Sequence, residues 1–241
     1  MGATASYAGT AGSNKGYLAL PATGTGPAVV VLPDRSLGGH ITTVVDRFAA
    51  EGFVAFAPDL RHGVTGDGGR VGVTGDDRRH GVTGDGSDHD EPDIDPAALA
   101  HDLVAVVDHL ARRAEVTGPV ACVGFCLAGS LALWSATLSD RIVAAVAFYP
   151  SLPWARLHPE WSHYAGKAAV IHCSEADGTS QAPDIQAARR AIEEAGGECT
   201  LYDYPGTQHA FFNDDRPEAY DGDAATAAWA RTLELLRRRL R

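Results

Sequence analysis

No stretch of this chain stays apolar for anything near the roughly 20 residues that crossing a bilayer requires, which argues against a membrane span. Met1 to Lys15 is rich in Gly, Ala, Ser and Thr and lacks a basic segment followed by an apolar one, so no secretory signal is read there. Positive charge is scarce: 20 Lys and Arg stand against 31 Asp and Glu, a net charge of −11. That sign argues against nucleic acid or an anionic membrane as partner. A small anionic substrate held by local Arg or Lys stays open. Cysteine is limited to Cys122, Cys126, Cys173 and Cys199, with no paired metal-ligand spacing. Free thiols in a cytoplasmic protein are therefore expected, with no metal site and no cofactor.

What is present suits one α/β domain. The 241 residues can bury one large core. Gly16 to Leu20 and Ala28 to Leu32 read as strands, the second a continuous apolar run of the kind covered on both faces of a parallel sheet. Ile41, Val44, Val45 and Phe48 mark a helical stripe ended by Gly52, and Phe53 to Ala57 is the next strand. Asp95-Pro96 reads as an N-cap with Pro at N1, and Leu99, Leu103, Val106, Val107 and Leu110 continue that helix. Pro119 to Gly124 is a strand, Leu127 to Leu138 a helix, and Ile142 to Phe148 and Ala168 to Cys173 are strands. Ile185 to Ala195 is a helix, Thr200 to Tyr204 the last strand, and Ala224 to Leu240 the last helix. Strands alternating with helices imply a mostly parallel sheet with helices on both faces and no separate cap domain.

One segment breaks the rhythm. Residues 62–70, 71–79 and 80–88 read HGVTGDGGR, VGVTGDDRR and HGVTGDGSD, a tandem nonapeptide. Gly/Asp-rich nonapeptides can build calcium-binding rolls, but this unit lacks the Gly-Gly-x-Gly-x-Asp order, and a surface loop lengthened by duplication explains it at little free-energy cost. The acidic run from Asp88 to Asp95 reads as a solvated loop entering a helix, with cation binding as the alternative.

The chemistry gathers around Cys126. Val123-Gly124-Phe125-Cys126-Leu127-Ala128-Gly129 is a hydrophobic strand that stops at a small-residue turn and enters a helix. This is the pattern of the α/β-hydrolase nucleophile elbow, with cysteine where serine is usual. A thiol at a helix start feels the positive end of the macrodipole, which favours thiolate. Its alternative is an inert Cys beside a helix-packing Gly. A thiol nucleophile needs a base and the base an orienting group, in chain order nucleophile, acid, histidine. Asp177 follows the Ala168 to Cys173 strand, with Glu175 as rival, and His209 follows the Thr200 to Tyr204 strand; His158, His163 and His172 fit worse. Oxyanion donors are expected from the Leu127 N–H and from the loop Pro33-Asp34-Arg35-Ser36, at the Arg35 N–H.

These residues resemble the dienelactone hydrolase family of carboxymethylenebutenolidase-like proteins. The segments that carry the resemblance are Gly124 to Gly129, Ala145-Val146-Ala147-Phe148-Tyr149-Pro150, Tyr204-Pro205-Gly206, and His209-Ala210-Phe211-Phe212-Asn213-Asp214. Ala49 to Phe53 and Ala57 to Leu60 add to them. The resemblance implies a Cys126–His209–Asp177 triad and an acidic residue in the oxyanion loop that gates the resting thiol, for which this chain offers Asp34 instead of the usual Glu. It also implies two arginines that clamp a substrate carboxylate. Asn213 stands at one of those positions; the other falls among Arg61, Arg70 and Arg79 with none singled out, and Arg216 is a substitute that Asp214 and Asp215 would neutralise. Tyr149, Trp154, Trp161 and Tyr164 read either as an apolar wall for an acyl group or as core packing.

The expected protein is thus a cofactor-independent hydrolase of a small ester or lactone, a monomer or small homo-oligomer, acting through an acyl-enzyme. The alternatives are a broad carboxylesterase or thioesterase, a thiol-sensing or binding protein on the same fold, and calcium binding by the repeat.

Overall fold

Continuous apolar runs become the central strands, because a strand covered on both faces needs no polar alternation. The computed structural model describes residues 2–9, 12–33, 37–60, 64–65, 93–151 and 157–241. Its strands are β1 (Ala3–Gly9), β2 (Gly12–Ala19), β3 (Gly26–Leu32), β4 (Val54–Pro58), β5 (Val64–Thr65), β6 (Asp93–Ile94), β7 (Val116–Phe125), β8 (Ile142–Phe148), β9 (Ala168–Ser174) and β10 (Glu198–Tyr204). Its α-helices are α1 (Gly39–Ala50), α2 (Pro96–Ala111), α3 (Leu127–Leu138), α4 (Pro183–Glu194) and α5 (Gly222–Arg239).

Among the described residues, one sheet has the strand order β1-β2-β4-β3-β7-β8-β9-β10, and β5 pairs with β6 in a separate two-stranded ladder. From β4 to β10 every neighbouring pair is parallel, whereas β1-β2 and β2-β4 are antiparallel. The parallel register brings the C-terminal ends of β7, β8, β9 and β10 to one edge, where an open α/β sheet binds ligands.

Helices cover both faces. Leu99, Leu103, Val106 and Leu110 of α2, Leu131 of α3 and Ile185, Ala188 and Ile192 of α4 pack on one face, with Val30, Leu32 and Cys122 of the sheet. Ile41, Val44 and Phe48 of α1 and Leu233 and Leu236 of α5 pack on the other, with Val29, Val31 and Val123. Adjacent strand residues point to opposite cores, as the period of two requires. Each such large side chain contributes about 1.5–3 kcal/mol on burial. The start of α2 is as read from sequence: Asp95 Oδ1 accepts from the N–H groups of Ala97 and Ala98 at 3.0 and 3.2 Å.

The helix Leu127–Leu138 and the strand Ile142–Phe148 match their sequence-read bounds, and the other elements differ from them by a few residues. Three strands are additional: the two-residue β5 and β6, where Val64 pairs with Ile94 and Thr65 with Asp93, and β1, where the sequence suggests only a small-residue N-terminus but Ala3–Gly9 pairs along its length with β2, from Ala3 opposite Leu18 to Gly9 opposite Gly12. Tyr7 is its one large apolar residue, and its ring meets Phe56 edge-on at 5.7 Å. Nearly all of the nonapeptide segment, the clamp candidates Arg61, Arg70 and Arg79, and the acidic run up to Glu91 lie outside the described residues.

Candidate active site

The elbow is a local consequence of its small residues. Cys126 stands between β7 and α3 with φ 53° and ψ −127°, a backbone conformation that costs an L-residue about 1–3 kcal/mol and is found where function requires it. The turn is so tight that a Cβ on Gly124 would stand 1.9 Å from the Ala128 carbonyl oxygen, so only glycine fits. The Cys126 N–H is bonded to the Phe148 carbonyl at 2.9 Å, and the Cys126 carbonyl accepts the Gly129 N–H at 2.9 Å. The main chain on both sides of the sulfur is therefore fixed, while the side chain is only partly buried.

His209 arrives on the loop after β10. Thr207, itself buried, donates its hydroxyl to the Tyr204 carbonyl at 2.7 Å, and its own carbonyl accepts the Ala176 N–H at 3.1 Å. Glu175 Oε2 accepts the Gly206 N–H at 2.6 Å. Glu175 thus ties the acid loop to the histidine loop, while Asp177 Oδ2 reaches His209 Nδ1 at 2.7 Å. The same Asp177 oxygen accepts the Ser174 hydroxyl. Two carboxylates two residues apart have divided the work, and the rivalry between them resolves to Asp177 beside the imidazole.

Aromatic rings hold that imidazole. Tyr149 lies edge-on to His209 at 5.0 Å and touches Phe211 at 5.6 Å, while Phe212 stacks on Phe125 at 5.5 Å. Among the described residues, Cys126, Tyr149, His158 and Ala210 are the non-glycine positions with positive φ. Three of these four are Cys126 itself and the neighbours of the Cys126–His209 pair, so backbone strain is concentrated at this edge of the sheet.

Cys126 and His209 are electrostatically coupled, and Cys126 is the chief influence on the imidazole. Cys126 raises the His209 pKa most, burial opposes it, and Asp177 adds to the rise, bringing it to about 9. For Cys126, burial pushes the thiol up, but its partners His209 and Ser151, the imidazolium charge and the Leu127 N–H outweigh it and leave the thiol below its ordinary value. Both shifts favour a thiolate–imidazolium pair. Burial pushes the thiols of Cys122, Cys173 and Cys199 up to about 12, so Cys126 is the most acidic of the four.

One partner of the sulfur was not anticipated. Ser151 Oγ lies 3.3 Å from Cys126 Sγ. In sequence it is an unremarked serine in a Pro/Leu-rich segment, and only the parallel pairing of β7 with β8 brings the ends of those strands side by side.

The other sequence candidates sort as follows. Leu127, the first expected oxyanion donor, opens α3, and its N–H helps to lower the Cys126 thiol. Arg35, the second expected donor, and Asp34, the gating candidate, lie outside the described residues, as does Trp154. His172 is fully buried on β9, bonded to the Tyr204 hydroxyl at 2.8 Å and the Thr232 hydroxyl at 3.0 Å. His163 Nδ1 bonds the Thr137 carbonyl at 2.6 Å. Tyr164 is fully buried and donates to the Leu133 carbonyl at 2.8 Å, so it is a core residue, and Trp161 packs half-buried against it. Asn213 Oδ1 accepts the Asp215 N–H at 3.0 Å, and Arg216 pairs with Glu218 at 3.1 Å. Asp214 and Asp215 turn instead to His40 at the start of α1, with 3.0 Å contacts to its Nδ1 and its N–H.

A strained cysteine elbow after a central parallel strand, with an Asp–His pair after the next loops, defines an α/β hydrolase fold. Comparison with known proteins narrows the class: the dienelactone hydrolase family model matches residues 15–240, and the chain belongs to that family. It is thereby a hydrolase of small esters or lactones. The chain is 29% identical to the protein usf of Aquifex pyrophilus over 91% of its own length and 90% of the relative's. It is 27% identical to a provisionally named carboxymethylenebutenolidase of Yersinia pestis, over 90% and 81% of the two chains. Among solved structures, a provisionally named dienelactone hydrolase from Klebsiella pneumoniae superposes with a TM-score of 0.75 at 22% identity, covering 98% of this chain and 97% of the other. The dienelactone hydrolase-like promiscuous phosphotriesterase P91 from metagenomic libraries superposes at 0.71 and 18% identity, covering 100% and 99%.

Proposed function

We propose that the protein hydrolyses a small ester or lactone through a covalent thioester on Cys126, with His209 as acid and base and Asp177 as the group that orients it. The observation that carries this reading is the shared geometry of the three side chains. Asp177 holds Nδ1 of His209, and the remaining ring nitrogen is left for the Cys126 sulfur.

The steps follow from that arrangement. The Cys126 thiolate attacks the carbonyl carbon, and the carbonyl oxygen takes up the negative charge. The Leu127 N–H stabilises that oxyanion, and the Arg35 N–H is proposed as its second donor; losing one such donor typically costs about 3 kcal/mol of barrier. The tetrahedral intermediate collapses as the C–O bond breaks, and the departing oxygen takes the His209 proton. In a lactone this oxygen stays tethered to the acyl group. His209, now neutral, removes a proton from water, the hydroxide adds to the thioester, and collapse expels the Cys126 thiolate with the imidazolium restored beside it. Asp177 keeps one tautomer throughout and stabilises the imidazolium.

Within this class a substrate without a carboxylate is favoured. Among the described clamp candidates, Asn213 carries no charge and is engaged in its own turn, and Arg216 is paired with Glu218, so neither supplies an uncommitted cation. Comparing kcat/KM for a neutral aryl ester with that for an anionic dienelactone tests this, and a neutral-ester preference of tenfold or more is expected. An equal or reversed preference contradicts it.

A further inference from the structure

We infer that Ser151 is a positioning residue for the nucleophile: its hydroxyl donates to the Cys126 sulfur and fixes that sulfur between His209 and the incoming carbonyl. The inference rests on Cys126 being the nucleophile and adds a third source of control over it.

Ser151 follows β8, and the chain reaches it through Tyr149, at φ 38°, and Pro150. This turn sets Oγ 3.3 Å from Sγ, a normal separation for a hydroxyl bonded to sulfur. Ser151 thus meets the sulfur from the end of β8, while the Leu127 N–H of its own turn and His209 on the loop after β10 also lower the thiol. In an ion pair with His209 the sulfur carries no proton and can only accept, so the hydroxyl is the donor. A donor on an anionic sulfur has two opposed effects. It enlarges the thiolate fraction at low pH, and it withdraws some electron density, because thiolate nucleophilicity falls with thiol pKa with a slope of about 0.4–0.5.

These effects make a signature that loss of packing would not produce. The rate of reaction with an aromatic disulfide, dithionitrobenzoate, is followed from pH 5 to pH 10. The fast phase reports Cys126, and C126A removes it. In S151A the midpoint of this titration rises by about 1 pH unit, so the low-pH rate falls about threefold while the high-pH plateau rises about threefold. The acid limb of ester hydrolysis moves by the same amount. S151T, which keeps the hydroxyl, restores the wild-type midpoint. A midpoint unmoved in S151A, or displaced equally in S151T, overturns the assignment while leaving Cys126 as nucleophile. Full activity in C126A removes the nucleophile and this inference together.

Discussion

Asp177 Oδ2 and His209 Nδ1 stand 2.7 Å apart, and the Ser174 hydroxyl shares that carboxylate oxygen. The contact joins the loops after β9 and β10 and decides which face of the imidazole is presented to Cys126. Asp177→Asn keeps the shape but offers an amide to Nδ1 in place of a carboxylate. It is expected to lower kcat/KM about 10²–10⁴-fold, through the wrong tautomer and the loss of imidazolium stabilisation, with little change in Tm. Steady-state kinetics with an aryl ester beside thermal unfolding checks it.

Glu175 supplies the contrast. Its carboxylate braces the Gly206 N–H at 2.6 Å and takes no part in the Asp177–His209 contact. Glu175→Gln retains an acceptor oxygen for that N–H, so kcat/KM should change less than about threefold. Loss comparable with that of Asp177→Asn would reverse the assignment of the two acids.

The pH profile of ester hydrolysis is expected to be a bell. The thiol lies below its ordinary value, so activity falls on the acid side only when pH drops through that lowered value and the sulfur takes a proton. The imidazole is pushed up to about 9, so activity falls on the alkaline side as pH rises through that value and the leaving group loses its proton donor. In His209→Ala the burial of Cys126 remains without its chief partner, and the thiol titration should move upward. A titration unchanged by His209→Ala contradicts the ion pair.

Gly124→Ala places a methyl group 1.9 Å from a backbone carbonyl that cannot swing aside, because Ala128 lies in the first turn of α3. The elbow must open. A loss of about 3 kcal/mol or more is expected, at the upper end of overpacking costs, together with loss of activity. Denaturant unfolding measures it.

His172 shows the opposite electrostatic case. Burial chiefly, and Arg231 secondarily, lower its pKa to about 3. Its folded value lies below the unfolded one, so its contribution to stability is complete above about pH 6.5 and is lost as pH falls from there toward 3. His172→Asn leaves the Tyr204 and Thr232 hydroxyls poorly paired at every pH, so it destabilises at pH 7. Its stability should also decline less steeply than that of the wild type between pH 6.5 and 4. Parallel slopes in pH-dependent thermal unfolding would contradict this.

Most of the scaffold was legible because its signals are local. The apolar run of β3, the Asp95-Pro96 cap and the glycine-flanked Cys126 each state their structure within a few residues. The order of Cys126, Asp177 and His209 along the chain also singled out the Asp177–His209 pair that the fold joins at 2.7 Å. β1 was not legible: ATASYAG has one large apolar residue, and its pairing is secured by β2 and by Tyr7 packing on Phe56, which lies far along the chain. Ser151 was missed for the same reason. Its relation to Cys126 exists only because β7 and β8 run parallel and adjacent, a tertiary fact with no periodicity in the sequence to announce it. The separate duties of Asp177 and Glu175 likewise depend on where the loop after β10 returns.

Cys126 is proposed to carry the acyl group during turnover. Rapid quenching of the protein with p-nitrophenyl acetate, followed by peptide mass spectrometry, tests it most directly. One acetyl group is expected, on the peptide that contains Cys126, formed in a burst and lost at the steady-state turnover rate. Steady turnover with no adduct at Cys126, or with the acetyl group on another residue, would contradict it.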